Sequence, residues 1–210
     1  MIKDTVFSAN GYNNFSDAEY QEFRSFLQNS CGIDLGVGKE YLVATRIRRI
    51  LAQENISSLS DLLKLLRSPS HKSLRQEVVD VMTTNETLWF RDSYPFEYLK
   101  KAILPDWHSA NSSQRVFKVW SSACSTGQEP YSINMIIDEF NRELLGRSNI
   151  EAQITATDIS SGVLSNAKSG IYDRLSISRG LSEQRLHTYF SLHNDNHWKI
   201  QPLLQKNIKF

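Results

Sequence analysis

Three short segments hold the residues whose types could do chemistry. The first is Ser121-Ser122-Ala123-Cys124-Ser125-Thr126-Gly127-Gln128-Glu129-Pro130, a run of small side chains that lets a backbone approach a ligand closely. It has one glycine and is not GxGxxG, so the dinucleotide fingerprint is absent. Glu129, beside the helix start at Pro130, can bind a ligand ammonium or simply favour the positive end of a helix dipole. The second is Asp158 in Ala156-Thr157-Asp158-Ile159. An acid at the end of a second strand accepts from ribose hydroxyls in doubly wound folds. Asp158 and Ser160 are equally suited to cap the helix that follows. The third is Thr83-Thr84-Asn85-Glu86-Thr87-Leu88-Trp89-Phe90-Arg91-Asp92, where polar residues alternate with aromatics. Arg91 can clamp a carboxylate with its bidentate fork or serve as a surface ion-pair residue.

Placing these residues together requires a strand, a tight loop and a helix in succession, and the second half of the chain supplies them. Val116-Phe117-Lys118-Val119-Trp120 is a β-branched and aromatic run of strand length. The small-residue loop follows, and Pro130 suits the first turn of a helix carrying Tyr131, Ile133, Met135, Ile136 and Ile137. Ala152 to Ile159 forms another strand, and Val163 to Lys168 a helix closed by Gly170. Alternating strands and helices imply a parallel sheet, with a ligand bound beyond the carboxyl ends of its strands. The first half reads as helices, with no strand signal before residue 110. Ser16-Asp17-Ala18-Glu19 has the form of a capping box ahead of Tyr20, Phe23, Phe26 and Leu27, predicting a helix over Ser16 to Asn29. Further helices are predicted over Tyr41 to Asn55, Leu59 to Leu66 and Leu74 to Met82. Arg46, Arg48 and Arg49 make the second of these basic; on spacing alone that is a solvated face or a surface for an acidic partner. His108 to Gln114 reads as a polar link.

Composition narrows the function classes. The 210 residues carry 24 Lys+Arg against 23 Asp+Glu, a net charge of +1. No global field would hold a polyanion, which argues against a nucleic-acid binder. No apolar run approaches the roughly 20 residues that span a bilayer, and the opening MIKDTVFSANGYNN lacks the pattern of a secretory leader. The protein is expected to be cytoplasmic, without membrane insertion. Cys31 and Cys124 stand far apart with no metal-ligand spacing, so both are expected to be plain thiols and no metal is expected.

Taken together, the three segments and Lys168-Ser169-Gly170-Ile171-Tyr172 resemble the CheR-type chemoreceptor glutamate methyltransferases, from about Phe15 to the last residue. The resemblance implies an N-terminal α-helical domain followed by a Rossmann-like α/β methyltransferase domain that uses S-adenosyl-L-methionine and releases S-adenosyl-L-homocysteine. The corresponding divisions are 1–84 for a receptor-facing helical domain, 85–113 for a linker and helix, and 114–210 for the first part of the α/β domain. It further implies that Asn85, Thr87 and Arg91 line the cofactor site, with Arg91 near the point of methyl transfer. Glu129 would face the methionine ammonium, Asp158 the ribose, and Ala123 and Gly127 would let the loop backbone lie against the cofactor. Arg46, Arg48 and Arg49 correspond to the surface that meets the cytoplasmic domain of a methyl-accepting chemoreceptor. In the family the chain continues past the segment matching Ile208-Lys209-Phe210 into an Asn-Leu pair, a Cys-Arg-Asn strand and a tyrosine. Their absence predicts an N-terminal portion of such an enzyme, with a sheet ending after its first strands, Val116–Trp120 short of neighbours, and little activity of its own. The alternative is a non-catalytic receptor-binding module.

Overall fold

In the computed structural model, residues 15–111, 116–145 and 149–210 are described. The opening segment read for a leader and positions 112–114 of the expected polar link lie outside the described residues. The chain divides into two compact units, Met1–Thr84 and Asn85–Phe210.

Among the described residues of the first unit, four helices surround one core: α1 (Asp17–Cys31), α2 (Glu40–Gln53), α3 (Leu59–Arg67) and α4 (Lys72–Met82). The capping box at Ser16 forms as its sequence predicts. Glu19 N–H donates to Ser16 Oγ, and Ser16 N–H returns a bond to the Glu19 carboxylate at 2.8 Å. Gly32, at φ +74°, ends the helix in the left-handed conformation that favours glycine. Residues at one-face spacing, among them Phe23, Leu27, Val43, Ile47, Leu62 and Leu66, are wholly or almost wholly removed from solvent.

The three arginines of α2 do not act as one cluster. Arg46 is half-buried and closes the carboxyl end of α4, where Nη1 donates to Met82 O at 2.6 Å and Nη2 to Thr84 Oγ1 at 3.1 Å. The carbonyls left open at a helix end attract a guanidinium, which satisfies them and opposes the dipole. Arg48 and Arg49 remain exposed. Arg46→Met should therefore lower stability by about 1 to 2 kcal/mol in urea unfolding, whereas Arg49→Glu should stay within about 0.5 kcal/mol.

The second unit is mixed α/β. A parallel sheet of order β1-β2-β6 is built from β1 (Val116–Ser122), β2 (Glu151–Thr157) and β6 (Ile208–Lys209). β1 pairs with β2 along its whole length, from Val116 opposite Glu151 to Ser122 opposite Thr157, and has no second neighbour among the described residues. β2 alternates strictly, with Ala152, Ile154 and Ala156 buried. Ala152 and Ile154 pack with Met135, Ile137 and Phe140 of α7 (Gln128–Glu143) in one core. After α8 (Ser161–Ser169) comes an antiparallel sheet, order β3-β5-β4, of β3 (Ile171–Asp173), β4 (Phe190–Asn194) and β5 (His197–Ile200). The short helices α9 (Arg174–Ser178) and α10 (Glu183–Tyr189) lie between β3 and β4, and α11 (Pro202–Gln205) precedes β6.

Residues 94–110, expected within a linker and helix, form α5 (Tyr94–Tyr98), a π-helical segment Leu99–Ile103, and α6 (Leu104–Ala110). His108 to Ala110 are thus helical rather than part of a link. The π register has a sequence cause in Pro105, which has no N–H to give Lys101 O and whose ring would crowd that carbonyl. Leu104 N–H accordingly bonds Leu99 O, five residues back.

Candidate active site

At the carboxyl end of β1 the chain must turn sharply into α7, and it does so through alternate residues in the left-handed region: Ala123 at φ +57°, Ser125 at +49° and Gly127 at +92°. The first two cost about 1 to 3 kcal/mol each and persist only where neighbours overdetermine them. Those neighbours are visible. Cys124 N–H donates to Thr157 O at 2.9 Å, Ser125 N–H to Asp158 Oδ2 at 2.8 Å, and Ser125 Oγ to Asn85 O at 2.9 Å. The other Asp158 oxygen accepts from Ser160 N–H at 2.9 Å. Ser160, not Asp158, caps α8, its Oγ receiving Val163 N–H. Asp158 therefore pins the loop to the end of β2.

Gly127 is required by packing as well as by φ. A Cβ there would stand 3.0 Å from Ala167 Cβ and 3.2 Å from both the Tyr131 ring and the Tyr172 hydroxyl. Tyr172 donates to Thr126 O at 2.8 Å, and its ring meets Trp89 edge-on at 4.9 Å between centroids. Trp89 is fully buried. Its Nε1 donates to Ser176 O at 3.1 Å and its backbone N–H to Arg179 O at 3.1 Å. The aromatic half of Asn85–Asp92 thus anchors the segment, leaving the polar half at the surface. Phe90 and Asp92 take φ values of +50° and +62°, the turn that carries Arg91 outward.

The result is a cleft of about 580 Å³ whose wall includes Thr87, Arg91, Phe96, Leu99, Val119, Ala123, Glu129 and Ile133. Glu129 lies on the first turn of α7 and accepts from Ser121 Oγ at 2.7 Å. Four of the seven residues expected to hold a cofactor, Thr87, Arg91, Ala123 and Glu129, share this cleft. Asn85 and Asp158 instead hold the loop at Ser125, and Gly127, within the loop, packs against Ala167, Tyr131 and Tyr172. Glu86, Lys118, Trp120, Ser125 and the π-segment residues Leu99 and Ile103 also line it, although the sequence alone assigns them no role there. Trp120, 72% exposed on β1, donates from Nε1 to Thr157 Oγ1 at 3.0 Å, a partner distant in sequence that strand composition does not reveal.

The family model for the CheR methyltransferase SAM-binding domain matches residues 85–210, and that for the CheR methyltransferase all-alpha domain matches 18–83. The chain belongs to the CheR methyltransferase family. Its CheR relatives include chemotaxis protein methyltransferase Cher2 of Pseudomonas putida, 47% identical over 192 residues, which are 91% of this chain and 70% of that protein. Chemotaxis protein methyltransferase 1 of Pseudomonas aeruginosa is 46% identical over 195 residues, 93% of this chain and 70% of the relative. Chemotaxis protein methyltransferase 1 of Vibrio cholerae is 44% identical over the same shares. A CheR domain that binds S-adenosylmethionine therefore carries the cleft. Among the described residues no group of His, Cys, Asp and Glu could hold a metal ion, and no helix is long and apolar enough to cross a membrane.

Cys124 also touches this CheR cleft, but its thiol is almost wholly buried. Burial, with the negative charge of Asp158 adding to it, pushes the thiol up to about 11. At pH 8 only about one such thiol in a thousand is ionised, against roughly a quarter for an ordinary cysteine. Alkylation of Cys124 by iodoacetamide should consequently run more than about 100-fold slower than that of a free thiol at pH 8. Burying the neutral thiol favours the folded state below the ordinary cysteine value, an advantage lost as pH rises toward 11.

Proposed function

We propose that this chain transfers the methyl group of S-adenosylmethionine to glutamate side chains in the cytoplasmic domain of a chemoreceptor, with S-adenosylhomocysteine as product. The supporting observation is the cleft at the carboxyl end of β1, whose lining combines a cation, Arg91, an anion, Glu129, and apolar residues such as Phe96, Leu99 and Ile133. Its volume falls within the range of small-molecule sites. A zwitterionic methionine end suits that pair, with Glu129 taking the ammonium and Arg91 the carboxylate. Thr87 and the Ala123 backbone border the remainder, and Asn85 steadies the loop through its carbonyl. Asp158, with one backbone donor on each oxygen, keeps lone pairs for ribose hydroxyls. Bound there, S-adenosylmethionine supplies an electrophilic sulfonium methyl.

The protein's own task is positioning. A glutamate is already ionised near neutral pH, so no general base is needed. Holding the carboxylate in line with the methyl carbon can contribute several kcal/mol, on the order expected for oriented reactants. The fixed Arg91 charge orients carboxylates and transfers no proton. Arg48 and Arg49, exposed on α2, offer a basic surface to the acidic methylation region of the receptor's cytoplasmic domain.

The test is transfer from methyl-labelled S-adenosylmethionine to a receptor cytoplasmic fragment, followed by alkali. Glutamyl methyl esters release the label as methanol under base, whereas amine or thioether methylation is stable. Base-labile label that disappears with acceptor Glu→Gln changes is the expected result. Glu129→Gln should weaken S-adenosylhomocysteine binding about 10- to 100-fold, the cost of losing a charge-assisted bond. Base-stable label, or receptor binding without transfer, would overturn the assignment.

A further inference from the structure

Arg185, on α10, is 95 residues from Phe90 in sequence, yet its guanidinium lies 3.7 Å from the centre of the Phe90 ring. The same guanidinium forks onto Glu139 of α7, with Nε to Oε1 at 2.8 Å and Nη2 to Oε2 at 3.1 Å. Glu139 is also met by Lys100 of the π segment, at 3.5 Å. Phe90 sits immediately before Arg91 in the left-handed turn, and its N–H donates to Ser132 Oγ of α7 at 3.3 Å. Both contacts therefore register the turn against α7, the helix whose first residues carry Glu129.

We propose that Arg185 is a positioning residue that holds the Phe90–Arg91 turn against α7 and so sets the separation of Arg91 from Glu129. This rests on the assignment of those two side chains to the methionine end of the cofactor. The geometry requires an arginine. One planar group makes a bidentate pair in its own plane and presents its face to a ring, whereas a lysine ammonium can do only one of these at a time. A left-handed phenylalanine is costly to hold, so releasing the ring frees the turn toward ordinary backbone conformations. Glu139 keeps Lys100 when Arg185 is removed, so its charge is not left alone.

The experiment compares Arg185→Gln and Arg185→Lys with the parent chain by amide hydrogen exchange without cofactor and by calorimetric binding of S-adenosylhomocysteine. Arg185→Gln should speed exchange across Leu88–Ser93 at least about tenfold while β2 and α4 keep parent rates, and should weaken binding about tenfold. Arg185→Lys should restore the thermal midpoint but only part of the protection. Uniformly faster exchange in the whole second unit would mean a purely structural bridge and would overturn the proposal. So would unchanged protection of Leu88–Ser93. The exchange readout needs no cofactor, so a parent chain that failed to bind S-adenosylhomocysteine would sink the cofactor assignment while local deprotection still upheld the brace on the turn.

Discussion

Trp89→Ala should cost the second unit about 3 to 5 kcal/mol, measured as the shift of its unfolding transition in urea, the range for emptying a buried aromatic site. Trp89 is fully buried, and its ring packs edge-on against both Tyr172 and Phe190, at 4.9 and 5.3 Å. Little can move in to fill the space. On one side lies Gly180 at φ +90°, where even an added Cβ would stand 2.1 Å from the Trp89 carbonyl. Trp89→Phe should be milder, losing the Nε1 bond to Ser176 O and part of the volume. A loss below 1 kcal/mol for the alanine variant would show that the antiparallel sheet is not anchored through this ring.

For Asp158→Ala the expected loss is about 2 to 4 kcal/mol of stability, since two charge-assisted bonds to backbone N–H groups disappear together. Asp158→Asn retains one carbonyl acceptor and should recover roughly half. Because Ser125 N–H would lose its partner beneath a strained turn, cofactor affinity should fall with stability rather than independently of it. An alanine variant with weakened S-adenosylhomocysteine binding and unchanged urea midpoint would assign Asp158 to the ligand alone.

The helical unit was legible because its information is local. The capping box at Ser16 and the one-face spacing of Phe23 and Leu27, or of Val43 and Ile47, fix helices within a few residues of chain. β1 and β2 were legible for a related reason, each being a β-branched run bounded by small or polar residues. The antiparallel sheet was not. Its strands are short and β4 exposes all but Phe190, so alternation gives almost no signal. The turn residues Asp195 and Asn196 between Leu192 and Trp198 were the available clue to a hairpin. The roles of Arg46 and Arg185 were hidden because each is defined by a partner distant in sequence, Met82 for one and Glu139 with Phe90 for the other. Spacing along a helix reveals which face a residue occupies, but not which open carbonyl or ring that face will meet.

Tyr172 joins the strained loop and the antiparallel sheet through one side chain, its hydroxyl on Thr126 O and its ring against Trp89 and Phe190. A side chain shared in this way makes the two regions one cooperative unit for local opening. The amides of the loop and those of β3 and β5 should accordingly report one common opening free energy. Cutting the hydroxyl with Tyr172→Phe should split that single value in two, the loop opening more readily than the strands.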